Sequence, residues 1–175
     1  MNLLKSVFGL CCLLLSVAAA EPTLHEKLEP LRPLLGKTFK GELKNSTAER
    51  PLINVMRFER ALNGQGVRIV HSLNDGVYAG ESMLVWDEGR ESIVYGYFTT
   101  ADFYTTGTMK TEKGKLVTHE KVGGKVGTVT EVKAVFTLNE DGTLHFKSEH
   151  MKNGAWEAGP EISYKRDDAA KVVFK

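Results

Sequence analysis

The side chains that could do chemistry are few, and they are scattered. The imidazoles are His25, His71, His119, His145 and His150, and no pair has the i, i+4 or Cys/His spacing of a zinc site. No metal site is expected. A Gly-x-Ser-x-Gly elbow and a His-Glu-x-x-His pair are both absent, so no residue is singled out as catalytic by motif. His71 and His150 stand out because alternation places them on the inner faces of their strands. An imidazole so placed can orient a ligand, serve as a general base or simply be a hydrogen-bonded wall residue. The carboxylates Glu81, Glu131 and Glu161 fall on the polar parity of their segments, where solvent explains them. Gly123-Gly124-Lys125-Val126-Gly127 is followed by a β-branched run and not by a helix N-terminus. It therefore reads as a hairpin turn, not a phosphate cradle. The aromatic group Trp86, Tyr95, Tyr97, Phe103, Tyr104 and Trp156 can be ordinary packing or the lining of a pocket. A buried Tyr or Trp needs a polar partner, which a ligand can supply.

The elements that hold these residues are strands. Turn signals recur at Asn63-Gly64, Asp75-Gly76, Glu88-Gly89, Ala101-Asp102, Lys113-Gly114, Gly123-Gly124, Asp141-Gly142 and Asn153-Gly154. Such spacing marks a sandwich or barrel of short strands. Between the turns, β-branched and aromatic residues alternate with period two. About ten strands are expected, over 37–45, 52–62, 66–74, 77–86, 91–99, 103–111, 115–122, 126–138, 143–151 and 155–166. Short connections favour an antiparallel meander, and closing it into an all-β barrel removes both edges. The one helical candidate, 23–35, contains Pro30 and Pro33, which limit it to a turn or two able to plug a barrel end. Residues 167–175 are expected to fray or add a final edge. One domain, 21–175, follows.

Alternation assigns the inner face. It takes Phe39, Gly41 and Leu43 from the first strand and Val67, Ile69, His71 and Leu73 from the third. The fifth and sixth contribute Tyr95, Tyr97, Phe103 and Thr105. Val132, Ala134, Phe136 and Leu138 come from the eighth, and Leu144, Phe146 and His150 from the ninth. Trp156, Ala158, Ile162, Tyr164 and Arg166 share the tenth strand's apolar parity. Eight strands fill a barrel with side chains, so about ten should leave a cavity.

The N-terminus has Lys5, a short apolar run from Val7 to Val17, and Ala18-Ala19-Ala20. That is the layout of a secretory signal peptide, cleaved after Ala20, and the run is too short to span a bilayer. The expected location is periplasmic or extracellular, with no stable membrane anchor. Cys11 and Cys12 leave with the leader, so thiol chemistry and disulfides leave too. Loss of Lys5 turns 23 basic residues into 22, matching the 22 acidic ones. A neutral chain without a basic patch does not suit nucleic acid.

Leu34-Leu35-Gly36-Lys37-Thr38-Phe39-Lys40-Gly41 resembles the opening of calycin-like (lipocalin-like) barrels, with Phe39 where tryptophan is usual. Tyr164-Lys165-Arg166 looks like their closing element. Trp86-Asp87, Tyr95-Gly96-Tyr97-Phe98 and Gly107 are more similar to a bacterial family of secreted calycin-like domains of unknown function. The resemblance implies structural closure by Arg166 packed over Phe39. It also implies a distant similarity to nitrobindins, which hold haem through a last-strand histidine. Here that position falls near Gly159, which cannot ligate iron, and His150 is the substitute to consider.

The sequence therefore points first to an exported protein that binds a small apolar or amphipathic molecule, with His71, Tyr95, Tyr97, Phe103, His150 and Trp156 as wall residues. The alternatives are a barrel enzyme of isomerase or cyclase type using an inward histidine, and a dimeric interaction module. In the latter, Tyr78, Leu84 and Trp86 on one face and Val77, Met83 and Val85 on the other would form a homodimer interface.

Overall fold

The computed structural model describes residues 23–124 and 127–175; the expected leader and its expected cleavage after Ala20 lie outside the described residues. Ten strands form a closed antiparallel barrel: β1 (Thr38–Leu43), β2 (Ile53–Ala61), β3 (Gly66–Leu73), β4 (Tyr78–Asp87), β5 (Ser92–Thr99), β6 (Phe103–Glu112), β7 (Lys115–Gly124), β8 (Val129–Leu138), β9 (Leu144–Lys152) and β10 (Ala155–Arg166). Each strand pairs with its sequence neighbours, and β1 pairs with β10 from Phe39↔Arg166 to Leu43↔Ile162. The all-β meander barrel expected from the alternation is the fold. Its hairpins use the turns that the sequence marks. At Asn153-Gly154 both φ angles are positive, 52° and 83°, as a type I′ turn requires to match the strand twist.

Gly123-Gly124 is an exception, because both glycines belong to β7, opposite Tyr104 and Phe103 of β6. A Cβ on Gly123 would lie 2.5 Å from Cζ of Tyr104. The bare glycine lets that ring lie across the strand, and the pairing runs two residues further than the turn signal suggests.

One barrel end is closed by a 3-10 helix, Glu26–Leu34. Leu28, Leu31 and Leu34 recur every third residue, which is the repeat of a 3-10 helix, so all three fall on one face. They are 0%, 0% and 2% exposed and pack in one cluster with Phe39, Phe58, Val67 and Leu84. Phe39 meets Phe58 edge-on at 6.0 Å. Arg166 stands opposite Phe39 in the register, but its guanidinium turns to Asp168, with Nη2 2.5 Å from Oδ2. The leucine plug, not Arg166, covers the aromatic.

Residues 167–175 neither fray nor add a strand. They cross the outer wall of β1 to β3. The amide of Asp167 donates to the Thr38 carbonyl (2.9 Å), Thr38 N–H donates to Asp168 Oδ1 (3.1 Å), and Val173 N–H donates to Ser72 Oγ (3.0 Å).

Candidate functional site

The barrel is hollow. A cavity of about 650 Å³ occupies the end opposite the leucine plug, within the range of small-molecule sites. Small inward side chains make the space. Thr118, Ala134 and Ser148 stand side by side on β7, β8 and β9, and all three line the cavity. Leu43, Met56, Ile69, Leu84, Phe136, Phe146 and Ile162 give it a largely apolar wall.

His71, Tyr95, Tyr97, Phe103 and His150 all face this space. Trp156 does not. Between Ala158 and Glu161 the β10–β9 register shifts by one residue, a β-bulge at Gly159-Pro160. Proline cannot donate a rung to the ladder, and an extra residue reverses the parity of everything before it. Trp156 therefore leaves the inner face that alternation assigns to it. Its ring lies outside against His119 and under the ammonium of Lys133, 4.1 Å from the ring centroid. A second bulge in β8, between Val129 and Glu131, brings Val129 into the cavity wall beside Val132.

Five polar side chains form one continuous chain along the wall. Tyr164 Oη donates to Asn54 Oδ1 at 3.0 Å, and Asn54 Nδ2 lies 3.1 Å from His71 Nδ1. His71 Nε2 is 2.7 Å from Tyr97 Oη, which is 2.5 Å from Tyr78 Oη. Glycines make room for it. Gly41 sits between Tyr164 and Asn54 in the β10–β1–β2 register. Gly80 stands opposite His71, and a Cβ there would fall 2.5 Å from the Tyr97 ring. Burial pushes the His71 imidazole down to about 4, so the ring is neutral at ordinary pH. The same desolvation raises the Tyr78, Tyr97 and Tyr164 phenols.

Glu120 lines the same cavity. It faces Tyr95 across Gly107, accepts a hydrogen bond from Thr105 Oγ1, and is raised chiefly by desolvation. Tyr95 Oη is buried without a hydrogen-bond partner, and burial raises this phenol as well. Motif reading does not select Glu120, Asn54, Tyr78 or Tyr164. The signal that finds Glu120 is its parity with Leu116 and Val122, a carboxylate on the apolar side of its strand. Tyr78 and Leu84 also line the cavity, so they are not available for the two-faced dimer surface that the sequence suggests.

The residues present do not reproduce a last-strand haem site. Gly159 offers no ligand atom, and a Cβ there would lie 2.8 Å from His150 Nε2, so the His150 ring already covers the position. Among the described residues no three His, Cys, Asp or Glu side chains converge as a metal site would require.

No protein-family model matches the chain, and a search of curated proteins finds no match. Among solved structures the chain is similar to the crystal structure of Rv2717c from M. tuberculosis. The TM-score is 0.59 at 16% identity, over 83% of this chain and 99% of that one. This likeness concerns the fold, and it fits a calycin-like barrel.

Proposed function

We propose that this protein binds a small, largely apolar molecule inside its barrel without altering it, as an exported calycin-like domain acting in the periplasm or outside the cell. The observation that carries the reading is the 650 Å³ cavity with an apolar wall and one polar chain along its side. A barrel selected only for stability would fill that space, because voids in a core cost stability. Nile red, an uncharged dye that brightens in apolar surroundings, tests the idea. One molecule per chain should bind saturably, and Ala134→Phe, which fills the cavity from β8, should abolish binding while the fold is kept. A folded protein that takes up no dye, and yields no co-purified molecule by native mass spectrometry from its own host, would sink the proposal.

A barrel enzyme of isomerase or cyclase type is the second reading. It is favoured by one observation, the 2.7 Å approach of His71 Nε2 to a titratable partner, Tyr97, which is the contact that acid–base work requires.

A further inference from the structure

We propose that the occupant of the cavity is an uncharged apolar molecule carrying a hydrogen-bond-accepting oxygen of carbonyl or ester type, and not a carboxylate-headed chain such as a free fatty acid. The proposal rests on the binding reading above and names its ligand class.

The first argument is a count of protons along the polar chain. Tyr164 donates to Asn54 Oδ1, which leaves the amide nitrogen of Asn54 facing His71 Nδ1. An amide nitrogen can only donate, so Nδ1 accepts. A neutral imidazole that accepts at Nδ1 carries its proton on Nε2, and therefore donates to Tyr97 Oη. Tyr97 and Tyr78 now hold two O–H protons and share one hydrogen bond. Whichever of them donates, one phenol O–H is left with no acceptor among the described residues. Both phenols face the cavity. The wall therefore presents a donor, which an acceptor on the occupant satisfies.

The second argument is charge. No lysine or arginine lines the cavity. Burial holds both His71 and His150 toward their neutral forms. The one acidic side chain in the wall, Glu120, supplies no positive charge in either protonation state. An anion entering here finds no counter-charge, and uncompensated burial of a carboxylate costs orders of magnitude in affinity. A carbonyl or ester meets the same donor without that penalty.

The experiment compares three probes of equal chain length against Nile red at pH 8, where the acid is ionised: dodecane, methyl dodecanoate and dodecanoic acid. The ester should bind several-fold tighter than dodecane and at least about tenfold tighter than the acid. The infrared carbonyl stretch of the bound ester should move to lower frequency, reporting the phenol bond. Dodecanoate binding as tightly as its ester, or an unshifted carbonyl, overturns the proposal and leaves the binding reading standing. If Nile red binds to none of these preparations, the binding reading itself fails and takes the ligand class with it. Nitrogen NMR of the His71 ring, assigned with His71→Gln, adds a ligand-free check. Nδ1 should be the unprotonated nitrogen, and a protonated Nδ1 overturns the proton count.

Discussion

His71 Nε2 and Tyr97 Oη meet at 2.7 Å above a strand position that carries no side chain, Gly80. The two residues sit on β3 and β5, and β4 passes between them. They touch only because the strand between them is bare at that point.

Gly80→Ala should therefore cost more than an ordinary glycine-to-alanine change in a strand. The new Cβ would stand 2.5 Å from the Tyr97 ring, and displacing that ring breaks the link to His71. Overpacking of this kind costs about 1–3 kcal/mol. Urea denaturation should show the loss, and His71→Gln in the same background should add little to it. A Gly80→Ala protein as stable as the parent would mean that Tyr97 is not held in place.

Acid should weaken the fold through His71. Its imidazole sits at about 4 in the folded protein and near 6.5 in the unfolded chain. Between those pH values the unfolded chain binds the extra proton, so stability rises with pH. The contribution is complete above about pH 6.5 and is lost as pH falls toward 4, up to about 3 kcal/mol in all. Stability measured from pH 4 to 7 should follow that slope, and His71→Gln should flatten it.

Glu120 should act with the opposite sign. Its folded value is raised, so the folded protein holds the proton longer and this group's contribution falls as pH rises above the ordinary carboxylate range. Glu120→Gln keeps an acceptor for Thr105 and removes the charge. It should leave stability unchanged near pH 4 and raise it at pH 8, and a uniform loss at both pH values would contradict the assignment.

Trp156 should be blind to the cavity. In Trp86→Phe, only Trp156 remains to emit, and its ring lies on the outer wall with Lys133. Filling the barrel with methyl dodecanoate should leave that emission unchanged. A large blue shift would place the ring inside.

Removing residues 167–175 should destabilise the barrel without emptying it. Three hydrogen bonds to β1 and β3 are lost together with the exposed Arg166–Asp168 ion pair, and Val70 and Ser72, now 5% and 2% exposed, meet water. About 2–4 kcal/mol is expected, or roughly 5–10 °C in Tm. Nile red should still bind, because the tail touches only the outside.

The fold was legible because period-two alternation and Gly-containing turns each report a local property that survives into the barrel. His71, Tyr95, Tyr97 and Phe103 kept the faces that alternation assigns them. Trp156 did not, because one inserted residue at Gly159-Pro160 inverts the parity, and a bulge is fixed by pairing with β9, not by local pattern. Asn54 and Glu120 were hidden for a different reason. Each is a polar residue on the apolar parity of its strand, and its role comes only from the side chain that the register sets two strands away: Tyr164 for the first, Tyr95 for the second.

The β1–β10 seam joins the earliest strand to the latest. During synthesis, β1 must wait with an unpaired edge until the final strand emerges, and Tyr164, which begins the polar chain, arrives with it. The interior cannot assume its finished hydrogen-bond order before β10 is in place, so a product truncated ahead of β10 is left with an open edge ready to pair with a neighbour.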